Sequence, residues 1–246
     1  MGAETGIGWT NKTWNPWHGC TPVSPGCDNC FMFQQKRQYG QDPEVVVRSK
    51  TTFDAPLRWH DPALVFTCSW SDWFHVAADP WRDEAWGIIG RTPHLTYQIL
   101  TKRPARIRGR LPWGDYGDPW PNVWLGVSIE SRVYLYRADV LRTAPAALRF
   151  LSLEPLLEDL GALDLDGIGW VIVGGESGPR RRSFEVAWLE SIVSQCDAAK
   201  VPLYVKQDSA FKPGQQGRIP TRLWRHEFPS LSSRSEARQT GPKGAR

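Results

Sequence analysis

The chain has 246 residues, of which 41% are hydrophobic and 23% are charged. These fractions are close to the averages of globular domains and exclude wholesale disorder, and the length suits one α/β barrel or two smaller domains. No apolar run approaches the roughly 18 residues of a membrane span, and residues 1–8 lack the basic start and apolar core of a secretory signal. We therefore expect a cytoplasmic protein without a membrane partner.

Positive charge is concentrated towards the carboxyl end of the chain. The formal net charge is +4, and residues 230–246 contribute most of it through arginine and lysine. That segment is rich in serine and glycine and nearly lacks large apolar residues, which predicts a disordered basic tail. Residues 1–229 are predicted to form a single domain, whose near-neutral charge is weak evidence for nucleic-acid binding.

Short apolar runs alternate with longer helical patterns through this domain. Nearly continuous apolar runs are typical of strands buried on both faces, and they occur at Val65–Ser69, Thr96–Thr101, Val123–Ile129, Arg149–Leu153, Trp170–Val173 and Leu203–Val205. Helices are predicted over Arg82–Gly90, Arg132–Arg142 and Phe184–Ala199. Because such alternation forms parallel sheets with right-handed crossovers, we predict an α/β fold, an incomplete parallel (β/α) barrel of about six strands.

Polar residues follow almost every predicted strand. The carboxyl ends of parallel strands lie on one rim, where α/β enzymes carry their sites. The rim candidates are Ser69, Asp72, Lys102, Arg103, Ser128, Glu130, Glu154, Gly174, Gly175, Glu176, Lys206 and Gln207. Two interpretations are open: these residues form a functional rim, or the strands simply end in polar loops, with Glu130 and Glu154 paired to Lys102 or Arg103 in a structural network.

Three of the five cysteines lie close together near the amino end of the chain. Cys20, Cys27 and Cys30 have the spacing C-x6-C-x2-C, among prolines and glycines that let a backbone wrap a compact group. Three thiolates can hold three irons of a [4Fe–4S] cluster and leave the fourth open. Alternatively, His18 completes a closed Cys3His zinc site, or the loop holds no metal. The other two cysteines are interpreted as buried apolar side chains.

Five long motifs of the sequence carry a resemblance to a known family. They are GWTNKTWNPWHGCTPVSPGCDNC (8–30), LTKRP (100–104), NVWLGVSIE (122–130), RFLSLEPLL (149–157) and WVIVGGESGP (170–179). These motifs resemble the phage Gp37/Gp68 family, and the resemblance runs from about Gly8 to Gln207. That family is in turn similar to radical S-adenosylmethionine (SAM) enzymes, which have a partial (β/α)6 barrel.

The resemblance implies a cofactor set and a reaction. Cys20, Cys27 and Cys30 would bind a [4Fe–4S] cluster whose open iron chelates SAM, and an electron from an external donor would cleave SAM to a 5′-deoxyadenosyl radical that abstracts hydrogen from the substrate. Radical SAM enzymes commonly have the spacing C-x3-C-x2-C with an aromatic residue before the last cysteine; here the first gap is longer, and Asn29 precedes and Phe31 follows that cysteine. The residues expected to bind SAM are Ser128, Glu130, Glu154, Gly174, Gly175 and Glu176, the last three resembling a glycine-rich SAM motif.

Basic residues on the predicted rim either contact the phosphate of a substrate or form a solvated basic loop. Lys102 opens a cluster of basic residues that ends at Arg110, and Arg180–Arg182 adds a second. With the resemblance to a phage family, this favours a nucleic acid or nucleotide substrate, such as a hypermodified DNA base, and the host-cell cytoplasm as the location if the protein is phage-encoded. The residues expected to bind substrate are Ser69, Asp72, Lys102, Arg103, Lys206 and Gln207. Two other classes of protein compete with this interpretation. One is a non-enzymatic nucleic-acid-binding protein whose cysteine loop is held together by zinc, and the other is a SAM-independent Fe–S protein.

Overall fold

A curled parallel sheet of seven strands, a half-barrel, organises the computed structural model, which describes residues 5–230. In chain order the elements are β1 (Lys12–Trp14), β2 (Trp17–His18), α1 (Phe31–Gln38), β3 (Val47–Arg48), β4 (Ala63–Thr67), α2 (Asp79–Arg91), β5 (Leu95–Thr101), β6 (Val123–Ser128), α3 (Tyr136–Arg142), β7 (Leu148–Leu153), β8 (Trp170–Gly174), α4 (Val186–Ala199) and β9 (Leu203–Gln207). Except for Ser230, the predicted basic tail lies outside the described residues. In the part described, no helix has both the length and the apolar character to cross a bilayer.

The strands follow the order β1-β4-β5-β6-β7-β8-β9, and each neighbouring pair is parallel. The strands β2 and β3 form a separate antiparallel pair. The predicted incomplete α/β barrel is thus confirmed as a curled half-barrel, and the six predicted strands lie within two residues of the observed ones. Their carboxyl ends share one rim, as parallel pairing requires.

The differences from prediction are local. Strand β1 was not predicted. It has only three residues and pairs with a single neighbour, β4, so its sequence contains no buried apolar run. Helix α2 begins three residues earlier than predicted, at Asp79, because Pro80 is suited to a first helical turn. The helix predicted over Arg132–Arg142 is instead a 3-10 turn followed by the shorter α3.

The two faces of the sheet have separate cores because side chains alternate along each strand. The convex face packs against the helices and includes Tyr97, Val171 and Val205. The concave face is filled by aromatic rings, chiefly those of Trp9, Trp124 and Trp170. Towards the carboxyl ends of the strands the concave positions become small or polar, so the rim is open to a ligand.

Candidate functional site

The three cysteines lie in the loop before α1, residues 19–30, which we call the cysteine loop. A single 3-10 turn, Pro25–Cys27, folds it back: the Cys27 N–H donates to Ser24 O (2.9 Å) and the Cys30 N–H donates to Cys27 O (3.2 Å). All three thiols are free and half-buried. The loop therefore presents three thiols without a disulfide, as a metal site requires.

Two glycines fit the cysteine loop to its surroundings. Gly19 has φ +100°, and a Cβ there would lie 2.2 Å from the Val45 carbonyl oxygen, so only glycine is tolerated. Gly26 lies on the buried carboxyl group of Glu130, which a Cβ would approach to 3.1 Å. The cysteine loop consequently lies close against the end of β6.

The three thiols line one cavity of about 160 Å³, the cysteine cavity, between the loop and the carboxyl ends of β4, β5 and β6. The strand ends contribute to its lining Cys68, Ser69, Asp72, Lys102, Arg103 and Ser128. Except for Glu130, the rim candidates of these three strands therefore line the same cavity as the cysteines.

The surroundings of the thiols disfavour an uncompensated thiolate. Burial raises the pKa of the Cys20 thiol to about 12; Asp72 acts in the same direction, and the Arg103 guanidinium opposes it. Burial also raises the pKa of Cys30, against backbone hydrogen bonds and the charge of Lys102. Thiolates here need a positive partner, which a bound metal group would supply together with the two basic side chains.

The donor set at the cysteine cavity consists of three free thiols. Cys27 is near enough to act electrostatically on both Cys20 and Cys30. Among residues 5–230, no group of three or more His, Cys, Asp or Glu side chains is placed to hold a metal ion, and His18 does not line the cysteine cavity. A [4Fe–4S] cluster binds each thiolate through a different iron, so its ligands lie further apart than those of one zinc ion.

Arg103 connects the cysteine loop to the end of β5. Its guanidinium donates to Cys20 Sγ (3.5 Å) and to the carbonyl oxygen of Thr21 (2.7 Å). Asp72 holds it in place: Asp72 Oδ2 accepts from Arg103 Nη1 (3.2 Å), and Asp72 Oδ1 accepts from Thr101 Oγ1 (2.6 Å). The contacts of Asp72 are those of an anchor for Arg103 rather than of a group directed at a substrate.

A second buried cluster lies at the end of β6. Glu130 is fully buried; its Oε2 accepts from Arg137 Nη1 (2.9 Å) and lies 3.6 Å from Lys102 Nζ. Within the described residues Glu130 Oε1 accepts no hydrogen bond, although it is buried beside Gly26 of the cysteine loop. A buried, unpartnered carboxylate oxygen is costly, and it is available to a donor group bound at this rim.

Glu176 fixes the cysteine loop from the other side of the rim. Its Oε2 accepts from Asn29 Nδ2 (3.0 Å) and from the backbone N–H of Arg182 (2.8 Å). Arg182 in turn donates to the Pro25 carbonyl oxygen (2.8 Å) and to Glu176. Burial alone would raise the pKa of Glu176, but these hydrogen bonds outweigh it and lower that pKa. Glu176 thus acts on the loop, and its carboxylate is already occupied.

The remaining rim candidates lie away from the cysteine cavity. Gly174 and Gly175 allow the close approach of the chain after β9, since a Cβ on Gly175 would lie 2.6 Å from the Ser209 nitrogen. Glu154 forms an ion pair with Lys206. Gln207 is buried and donates to the Gly175 carbonyl oxygen (2.7 Å). The structure therefore explains the Gly-Gly pair by packing within the chain.

The predicted basic clusters are largely neutralised by acidic partners. Arg106 pairs with Asp79 (2.7 Å), and Arg108 pairs with Asp115 (3.3 Å). Arg182 is held by Glu176. In the described part of the chain, the Arg180 side chain has no such partner. Most members of the two clusters are thus paired with carboxylates, and their contact with phosphate stays a prediction.

A second cavity, of about 680 Å³, opens between the unpaired edges of the half-barrel, and we call it the aromatic cavity. Thr13 on β1 and Lys206 on β9 both line it, and it shares Ser69 and Trp70 with the cysteine cavity. Its aromatic lining consists of Phe31, Trp70, Tyr204, Phe211, Trp224 and His226. The sequence could have indicated only the first two, because Phe31 follows the last cysteine and Trp70 follows the candidate Ser69; the others come from β9 and the segment after it.

Fold and site together define an α/β half-barrel protein with a three-cysteine cavity at its rim. The chain belongs to the family described as "Protein of unknown function (DUF5131)", which matches residues 4–242. No curated protein and no solved structure matches the chain.

Proposed function

We propose that the protein is a radical SAM-type enzyme in which Cys20, Cys27 and Cys30 hold a [4Fe–4S] cluster. The observation that carries the proposal is that three free thiols of one loop line a single cavity at the carboxyl rim of a parallel half-barrel. The motif resemblance to the Gp37/Gp68 family and to radical SAM enzymes supports the same conclusion. When bound, the cluster would supply the electron that cleaves SAM to a 5′-deoxyadenosyl radical.

The surrounding residues suit this chemistry. Arg103 and Lys102 offset the negative charge of the thiolates. Ser128 lines the cysteine cavity, and the free Oε1 of Glu130 lies beside it, so these two groups are suited to the amino and ribose groups of SAM. The aromatic cavity adjoins the cysteine cavity, which suits a substrate that must meet a radical formed at the cluster.

The substrate side of the proposal is a nucleic acid or nucleotide, modified or rearranged at a substituent of its base. The scheme also requires an external electron donor that reduces the cluster. The cytoplasm of the cell in which the protein is made would supply both SAM and the reductant.

The test is metal analysis of anaerobically purified protein, followed by an assay for 5′-deoxyadenosine release from SAM. We expect about four irons and four sulfides per chain, and an EPR spectrum of the reduced protein that SAM alters. Cys20→Ala, Cys27→Ala and Cys30→Ala should each lose the cluster and the cleavage of SAM. Cys196→Ala, which removes a buried thiol on α4, is the matched control and should retain both.

Other metal contents contradict the proposal in distinct ways. One zinc per chain without iron would identify a zinc-stapled protein, and its retention in His18→Ala would further show that His18 is not a ligand. A full cluster that never cleaves SAM under reducing conditions would identify a SAM-independent Fe–S protein.

A further inference from the structure

We propose that the aromatic cavity binds a single nucleotide unit, with the base against its aromatic side chains and the phosphate at Arg180 and Lys212. This inference rests on the proposed function, which needs a substrate beside the cysteines. It goes further by assigning the site and the groups that recognise the base and the phosphate.

The position of the cavity follows from the incomplete barrel. The sheet ends at β1 and β9, which do not pair, and the cavity lies between these two edges. Its volume of about 680 Å³ is within the range of roughly 300–1,000 Å³ typical of small-molecule sites. Because Ser69 and Trp70 line both cavities, a ligand bound here would be adjacent to the cysteine cavity.

Aromatic rings reach the cavity from both edges of the sheet. On the cysteine side, Phe31 and Trp70 meet edge to face, with ring centroids 5.9 Å apart. On the β9 side, Tyr204 and His226 are stacked at 4.6 Å. Phe31 is 49% exposed and Phe211 63% exposed, although a monomer would gain by burying such rings. Exposed rings around a cavity are suited to stacking with a planar base.

Two cations, Arg180 and Lys212, adjoin residues that line the cavity, and within residues 5–230 neither has an acidic partner. The Arg180 backbone oxygen accepts a hydrogen bond from Asn29 Nδ2 (2.9 Å), and Asn29 lines the cavity. Lys212 stands between Phe211 and Pro213, which both line it. Within residues 5–230, neither the Arg180 nor the Lys212 side chain forms an ion pair or a hydrogen bond, in contrast to Arg182. Free cations next to exposed rings match the phosphate and the base of one nucleotide.

Polar groups suited to the edge of a base also face this space. The Gln35 and His226 side chains line the cavity and, in the described part of the chain, form no hydrogen bond. An amide and an imidazole offer both donors and acceptors. They supply the hydrogen bonds that distinguish a base from an apolar ring of the same size.

The test measures binding to the anaerobic holoprotein. Calorimetry with the four deoxynucleoside 5′-monophosphates tests the free nucleotide, and anisotropy with a labelled single-stranded oligodeoxynucleotide and its duplex tests the nucleotide within DNA. We expect a monophosphate or the single strand to bind. Phe211→Ala should weaken that binding roughly 5- to 100-fold, and Arg180→Ala with Lys212→Ala should reduce its dependence on salt.

The controls are Tyr116→Ala, which removes an exposed ring outside this cavity, and Lys50→Ala, which removes an exposed cation elsewhere. Both should bind like the unaltered protein. Binding of the monophosphate identifies a free nucleotide as the ligand, and binding of the single strand alone identifies a base within DNA. Absence of binding by every probe, or equal binding by Phe211→Ala and the controls, would overturn the inference. Iron content and SAM cleavage, measured on the same preparations, report separately on the proposed function.

Discussion

Arg103 is the side chain most directly placed to tune the proposed cluster. It is 11% exposed, donates to the Cys20 sulfur and is anchored by Asp72. Hydrogen bonds and positive charge near a cluster's thiolates stabilise its reduced state, which carries the additional negative charge, and so raise its reduction potential. We therefore expect Arg103 to act through Cys20 as a positioning residue for the cluster.

Arg103→Gln should lower the midpoint potential of the cluster, by an amount on the order of tens of millivolts, because it removes the charge beside Cys20. Arg103→Lys retains the charge but not the planar fork that reaches Thr21, so its shift should be smaller. Redox titration followed by EPR measures both. Equal potentials in the two variants and the unaltered protein would show that Arg103 serves only to hold the loop.

At the scale of single residues, the sequence predicts which side chains meet at the rim better than it predicts their ion-pair partners. The spacing of the cysteines and the polar strand ends point to the right rim. The ion pairs do not follow from local pattern: Asn29 and Glu176 are 147 residues apart in the chain, and they meet only because of how the sheet curls. For this reason Glu176 is predicted as a ligand-binding group and found as a support of the cysteine loop.

Among the elements, the cysteine loop is the one most dependent on long-range contacts. It has one short 3-10 turn of its own and is held from β5 by Arg103 and from the segment after β8 by Arg182. Such a loop is ordered by side chains that bridge to it, because it contributes few backbone hydrogen bonds. Removing one bridge should loosen the loop and leave the sheet intact.

Glu176→Gln tests this dependence through pH. The pKa of Glu176 lies below its ordinary value of 4.5, so its charged form is favoured in the folded state. Its stabilisation is present above pH 4.5 and is lost as the pH falls through the lowered pKa of the folded state. We expect the free energy of unfolding of the variant to be about 1–3 kcal/mol lower than that of the unaltered protein at pH 7. On acidification, the free energy of unfolding of the variant should fall by less than that of the unaltered protein.

Urea unfolding at neutral pH and below pH 4.5 measures this difference, and iron retention during anaerobic gel filtration reports on the loop itself. Glu190→Gln removes a carboxylate paired at the surface with Arg222 and should leave both properties nearly unchanged. If the stability of the two variants responded alike to acid, the Glu176–Arg182 contact with the cysteine loop would contribute no more stability than an exposed ion pair.

The helices and strands that could be predicted from the sequence are those that are most completely buried. Strands β6 and β8 are buried along their whole length and read as continuous apolar runs. Helix α1 has a polar sequence, with three buried residues among eight, so the helical spacing of its apolar residues is hard to recognise. The edge strand β1 has only three residues, Lys12–Trp14, of which Trp14 alone is buried. Elements that bury one side against the rest of the chain give the weakest local signals.

For the molecule as a whole, an open half-barrel leaves the apolar side chains of its concave face exposed unless another segment packs on them. The segment before β1 covers them: Trp9 is 3% exposed and packs on Phe66 and Trp170, with ring centroids 4.6 and 6.2 Å away. The Trp9 carbonyl oxygen also accepts from the buried Gln98 side chain (3.2 Å). The same segment continues into the aromatic cavity through Gly8, so closure of the core and shape of the cavity are coupled.

Trp9→Ala should therefore lower the free energy of unfolding by about 3–5 kcal/mol, as expected for emptying a large buried aromatic site, and it should also weaken ligand binding in the aromatic cavity. Trp9→Phe should cost much less, because within the described residues the indole N–H of Trp9 has no acceptor and no hydrogen bond is lost. Urea unfolding of the two variants measures the difference. A cost for Trp9→Ala no larger than that for Trp9→Phe would mean that the half-barrel is stable without its cover, and the aromatic cavity would then be shaped by β1 and β9 alone.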